Sequence, residues 1–390
     1  MKSNWSWCTV YFIWSIATQE RRERKKVNVK KVLLLLMLAT VVFAALAGAG
    51  QGVHPSRLPI VTVASYNAYI GTDVFAVLCG AKTLDQAVAD IVAVNFPQRA
   101  KAIVKALAKP TPDLISIQEA WHIEIQSAQL KLDWNYKEIL AALLKRYGYR
   151  EVVSSDLSDI IIPLDPATPA YYVRVTDHDV IFAKKQLKAT EVESLLYDST
   201  FKAQLGGQVI ESKRGLVSAV FRINGHEYRF VNTHLETEAL PAVSAAGETL
   251  GIAQELQAQE LVDHLADESR PVILAGDFNA PFDSSTVMTM ESAGFADMWP
   301  LRIFDRHDPG FTCCQAPDLL NGQSILDQRI DHIFVRNDNG NLAYNVAFPL
   351  VIEVIGDRPA DKTKTYPRLW PSDHAGLRST LIIPALYGSE

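Results

Sequence analysis

Val272-Ile273-Leu274-Ala275-Gly276-Asp277-Phe278-Asn279 is the stretch on which the reading of this chain turns. Its apolar run is too short for a helix and of the right length for a buried strand. The run ends in Gly and then Asp-x-Asn, and period-two spacing puts Asp277 and Asn279 on one face of an extended chain. An acid beside an amide suits water activation and anion binding. The same pair also suits an Asx turn that merely ends a strand. Taken alone, the stretch leaves both readings open.

Further apolar runs of strand length lie at 60–66, 114–118, 180–183, 216–223, 228–233, 330–335 and 377–383. Helical periodicity fills 87–108, which Pro97 interrupts, and also 136–147 and 252–266. Strands and helices mix without strict βαβ alternation, which predicts an α+β layered fold with helices outside strands. Residues 184–213 and 300–330 are polar and read as long loops that shape access to a site. No linker divides residues 50–390, so they are expected to form one domain.

The 390 residues carry a net charge of −6, and residues 1–49 hold eight Lys/Arg against Glu20 and Glu23, which leaves −12 on residues 50–390. An acidic body excludes a protein that grips nucleic acid by a broad basic surface. A nuclease stays open, because a bound cation supplies local positive charge. Within residues 1–49, Lys25, Lys26, Lys30 and Lys31 precede a mostly apolar stretch at 32–49 that ends Ala47-Gly48-Ala49. This reads as an export signal cleaved near Gly50, or as an uncleaved anchor with the domain outside. A secreted or periplasmic monomer is expected, with 32–49 as the segment for any membrane association. The long leader ahead of the signal suggests a start at Val27 or Val29. Four cysteines, Cys8, Cys79, Cys313 and Cys314, are too few for a disulfide scaffold. Cys79 is a candidate partner for Cys313 or Cys314, three unpaired thiols being the alternative. For Cys313-Cys314 a disulfide anchoring the 300–330 loop is preferred to a redox role.

Four more segments place polar residues at the ends of apolar runs. Leu114-Ile115-Ser116-Ile117-Gln118-Glu119 ends in a carboxylate, a hard oxygen ligand of the kind Mg²⁺ prefers. Val63-Ala64-Ser65-Tyr66-Asn67 ends in a neutral oxygen donor, and Phe230-Val231-Asn232-Thr233-His234 in a histidine. Ser372-Asp373-His374 sets an anion beside a proton carrier, but adjacent side chains point apart in a strand. Asp331 is therefore the candidate to orient His374, and Asp373 the candidate to serve a metal. Arg214 precedes a strand and is a candidate contact for substrate phosphate. His178 and Asp179, ahead of 180–183, are weaker candidates. Each has a plainer alternative as a strand-end, turn, core or solvated residue.

In this order the motifs resemble the endonuclease/exonuclease/phosphatase superfamily, which includes pancreatic-type deoxyribonucleases, AP endonucleases, sphingomyelinases and inositol polyphosphate phosphatases. The resemblance runs from residue 61 to 381 and is carried most specifically by GDFN at 276–279, SDH at 372–374 and QE at 118–119. It implies a four-layer α/β/β/α sandwich: two mostly antiparallel sheets packed face to face, helices outside, and the site at one edge. It implies Glu119 as principal ligand of Mg²⁺, or Mn²⁺ in its place, with Asn67 and Asp373 at the metal. Asp277 would activate water, Asn279 hold the scissile phosphate, and His374, oriented by Asp331, contact phosphate or relay a proton. His234 would assist the leaving group, with Asn232 and Arg214 at the substrate. The Asn-Thr-His at 232–234 resembles the deoxyribonuclease, sphingomyelinase and 5-phosphatase branches more than the AP endonucleases. The implied activity is metal-dependent hydrolysis of a phosphate ester, first a diester of nucleic acid, phospholipid or a small molecule. A phosphomonoesterase and a catalytically inactive binding protein are the alternatives.

Overall fold

In the computed structural model, strand Val272–Asp277 is buried along its whole length, because it lies inside a six-stranded sheet covered on both faces. The structure describes residues 58–384 except 79, 165–167, 169, 206–207, 239, 245–246, 306 and 338–346. The export or anchor segment and Cys79 thus lie outside the described residues. Ser56–Glu390 is one compact unit, and among the described residues no helix is long and apolar enough to cross a membrane.

One central sheet runs Phe348–Ile355, Gly376–Ile382, Ile60–Asn67, Leu114–Gln118, Val180–Lys184, Tyr149–Ser154. The other runs Ala296–Asp297, Asp331–Arg336, Val272–Asp277, His226–His234, Gly215–Ile223, Ala189–Leu196. Each contains one parallel pair among antiparallel neighbours: Ile60–Asn67 with Leu114–Gln118, and His226–His234 with Val272–Asp277. A parallel pair delivers two C-terminal ends to one edge. The antiparallel neighbours Gly376–Ile382 and Asp331–Arg336 begin at that same edge. Six strand ends therefore meet there, and they carry the residues singled out in the sequence.

Three apolar clusters define the layers. Val61, Val63, Ile181, Val217, Phe230, Ile273 and Ile333 fill the space between the sheets. Helices Phe96–Leu107 and Tyr136–Leu144 cover the first sheet through Phe96, Ile103, Leu107 and Leu140. Helices Ala253–His264 and Ser285–Ser292 cover the second through Leu261, Val287 and Met290. This is the α/β/β/α sandwich expected. Helical 87–108 divides into Leu84–Ala93, closed by a Thr83/Gln86 capping box, and Phe96–Leu107, with Pro97 in its first turn where a missing N–H does no harm.

The expectation of a loop at 184–213 is corrected. That stretch contains strands Ala189–Leu196, Phe201–Leu205 and Gln208–Ser212. Ala189–Leu196 is a sheet edge with most side chains exposed or half-buried, so its polar composition hid a ladder that Gly215–Ile223 supplies. Two flanking four-stranded sheets, one of them containing Phe201–Leu205 and Gln208–Ser212, add to the central pair. Residues 300–330 stay irregular, apart from a bridge between Cys313 and Gln328.

Candidate active site

Gly276 lets the two parallel strands of the second sheet close up: a Cβ there would drive into the Thr233 carbonyl oxygen. Their register sets His234 opposite Asp277, and Asp331 pairs with Asp277 from the other side. Glu119 and Asn279 leave their strands with positive φ, 55° and 50°, a conformation that turns both side chains back over the edge at some backbone strain.

Asp277 is the hub. Its Oδ1 accepts the Asn279 backbone N–H at 2.8 Å, so the Asx turn exists along with the site. Its Oδ2 accepts Asn67 Nδ2 at 2.8 Å, and lies 3.6 Å from His234 Nε2 and 3.7 Å from His374 Nε2. Burial, and then the charge of Asp331, push its carboxyl up to about 7.

The two imidazoles differ in kind. His374 Nδ1 faces Asp331 Oδ2 at 2.9 Å. Burial works against its charged form, but Asp331 and Asp277 outweigh that and hold it as a cation. His234 Nδ1 lies 2.8 Å from the Arg214 guanidinium, which can only donate, so the proton of the neutral ring sits on Nε2. Burial, Arg214 and His374 all hold His234 neutral. The Asn279 amide reaches His234 Nε2 at 3.1 Å and the Leu235 carbonyl at 3.0 Å.

Glu119 accepts from Asn67 Nδ2 at 3.0 Å, from the Ile70 N–H at 2.8 Å and from Trp121 Nε1 at 3.1 Å. Asn67 is thereby a donor clamping two carboxylates, while its Oδ1 accepts the Tyr69 N–H at 2.9 Å; the expected oxygen donation to a metal is not how the structure uses it. Asp373 starts the segment into Gly376–Ile382, its carboxyl raised to about 6 by burial, with the charge of Glu119 adding. Buried Arg99 ties the loops after Asn67 and before Asp373 together, donating to the carbonyls of Ala68, Tyr69 and Pro371 at 2.9 Å each.

Two expected substrate contacts are committed elsewhere. Asn232 is fully buried, donates to the Ile117 and Val180 carbonyls at 2.9 and 3.1 Å, and accepts from Gln118 Nε2 at 2.6 Å. It clasps one sheet to the other. Arg214 is held by Glu236 at 3.2 Å and Asp177 at 3.5 Å, so its charge is matched before any phosphate arrives. Asp177 and Glu236 were not singled out in the sequence; Glu236, two residues past His234 on the same face, was the available signal. His178 bonds the Ser155 carbonyl at 2.6 Å, and Asp179 is wholly buried, with neither carboxyl oxygen hydrogen-bonded.

A hard divalent cation fits this donor set. Oxygen ligands dominate, Asp277 and Asp373 are crowded into raised pKa values, and buried Asp331 Oδ1 has no hydrogen-bond partner. Asp277, Asp331 and His374 also bring ligand atoms within 4.8 Å of one another.

The profile of the Endonuclease/Exonuclease/phosphatase family matches residues 92–374. The chain belongs to this family of phosphoester hydrolases. The endonuclease/exonuclease/phosphatase from Beutenbergia cavernae has the same fold, at 17% identity over 83% of this chain and 72% of that one, with a TM-score of 0.50. TDP2 of D. rerio, solved with a single-strand DNA product, is 19% identical over 83% and 98% of the two chains, TM-score 0.47. The mannosyl-6-phosphatase Bt3783 of Bacteroides thetaiotaomicron is 17% identical over 83% and 99%, TM-score 0.48. Among curated proteins none matches in sequence.

Proposed function

We propose that the protein is an exported, Mg²⁺-dependent phosphodiesterase. The observation that carries the choice of diester is the pairing of Arg214 with Glu236 and Asp177. With that guanidinium matched, His374 is the cation the described site offers to phosphate, which suits a singly charged diester better than a dianionic monoester. Glu119, with Asp373 beside it, would hold the metal. The cation would neutralise phosphate charge and stabilise the leaving oxygen.

The chain's own groups then divide the work. Asp277 takes a proton from the attacking water. His374, held by Asp331, donates to a non-bridging oxygen, and the Asn279 amide fixes the phosphate. His234 presents its Nε2 proton on the leaving-group side.

The test is a panel of DNA, RNA, sphingomyelin, inositol phosphates and bis(p-nitrophenyl) phosphate, with Mg²⁺ and with EDTA. Expected are turnover of a diester, loss of it in EDTA, and loss in Asp277→Ala and His374→Ala. Monoester preference, metal-independent turnover or full activity of either variant overturns the reading. Turnover of no substrate moves the chain to the binding class.

A further inference from the structure

Cys313 and Cys314 have no part in the hydrolysis proposed above, yet they lie against its histidine. The two are joined by a disulfide, and their sulfurs and a ring nitrogen of His374 all fall within 4.8 Å of one another. Hydrogen bonds pin both flanks to the site. The Ala375 N–H donates to Thr312 O and the Gln315 N–H to Asp373 O, each at 2.7 Å, and the Asp331 N–H reaches Thr312 Oγ1 at 3.2 Å. Cys313 is buried and Cys314 exposed. The expected alternatives, a bridge to Cys79 and a loop anchor, both fail. Neither sulfur is left for Cys79, and a bond between adjacent residues closes no loop, so it removes almost no entropy from the unfolded chain.

We propose that Cys313–Cys314 is a thiol–disulfide exchange site, with a dithiol as its co-reactant, whose reduction draws His374 away from phosphate. The second half rests on the phosphate-contacting role proposed for His374. A thiolate of the reductant attacks Cys314 Sγ, the sulfur at the surface. The S–S bond breaks and its electron pair leaves on Cys313 Sγ, beside the imidazole, which favours the departing thiolate. The second thiol of the reductant attacks the mixed disulfide at the reductant's own sulfur and releases Cys314. The dithiol departs as a disulfide, and two electrons and two protons have passed to the cysteine pair. The Cys313 sulfur then competes with Asp277 and phosphate for the imidazole N–H.

The test uses the full chain, incubated with dithiothreitol in native buffer, alkylated, and mapped by peptide mass. In parallel, hydrolysis of bis(p-nitrophenyl) phosphate is followed with Mg²⁺. Both cysteines are expected to label without denaturant. Labelling slows on the order of tenfold in His374→Ala, from the poorer leaving group. Turnover falls several-fold on reduction and returns with oxidised glutathione, whereas Cys313→Ser/Cys314→Ser, folded by circular dichroism, is active and indifferent to the reductant. Labelling only in denaturant overturns the exchange site. Labelling independent of His374 overturns its chemistry, and equal turnover of the two redox forms overturns its link to catalysis. If no phosphate ester is turned over at all, the labelling arms still decide the exchange site, so the two failures are told apart.

Discussion

Asp277 accepts a backbone N–H on one oxygen and faces an amide and two imidazoles with the other, inside a buried site. Folded, it keeps its proton up to about 7; unfolded, a carboxyl releases it near ~4. Between those values the folded state binds more protons, so this group's contribution to stability is present at low pH and is lost as pH rises through about 7. Asp277→Asn is expected to raise the thermal midpoint of the metal-free protein relative to wild type at pH ~8 but not at pH ~5, while turnover falls on the order of a thousandfold. A melt at the two pH values with EDTA checks the first part; an unchanged difference between them would refute the assigned shift. His374 reads the opposite way, as an imidazole held charged by Asp331. Asp331→Asn is expected to lower kcat on the order of a hundredfold with little change in KM, seen in steady-state kinetics on a diester. Arg214→Gln leaves the buried Glu236 carboxylate without its cation. It should destabilise the fold by about 3 kcal/mol in denaturant titration; a variant as stable as wild type would show that the pairing is not formed.

At the scale of elements, the strands that could be read from sequence are those buried on both faces. Val272–Asp277 and Leu114–Gln118 are apolar because helices cover one side and the opposing sheet the other. Their polar termini gave Glu119, His234 and Asp277 as neighbours before any coordinates. Edge strands such as Ala189–Leu196, and short peripheral ones such as Phe201–Leu205, carry no such run and were not readable. Nor were the left-handed backbones of Glu119 and Asn279, or the use of Asn67 as a donor, since these depend on where separate segments come to lie. Asn232 shows the limit well: an Asn before a catalytic-looking His reads as a substrate contact, and the fold makes it a bolt between sheets. Asn232→Ala should lose about 2–4 kcal/mol of stability, since Gln118 and two carbonyls lose their partner, and leave KM unchanged. A raised KM with unaltered stability would restore the substrate role.

For the whole molecule, metal and stability are linked. A cation that relieves crowded carboxylates binds the folded state alone and shifts unfolding by mass action, about 2.7 kcal/mol at a hundredfold excess over its dissociation constant. The thermal midpoint should therefore climb with added Mg²⁺ at neutral pH, and Glu119→Gln should flatten that climb. A midpoint insensitive to Mg²⁺ in wild type would argue that no cation is held by this edge.

The order of the strands also has a meaning in time. Thr62 faces Thr380 across neighbouring strands, 318 residues apart. The chain begins in one sheet, builds the other, and returns to finish the first with its last strand. A polypeptide threaded through a ribosome or a translocation pore N-terminus first would hold the edge of Ile60–Asn67 open until nearly the last residue emerges. Contacts so distant are slow to form and leave a bare edge in the meantime. For this protein, release from synthesis or transport is the event that permits folding to close, and a nascent chain stalled before residue 376 is the form most exposed to aggregation.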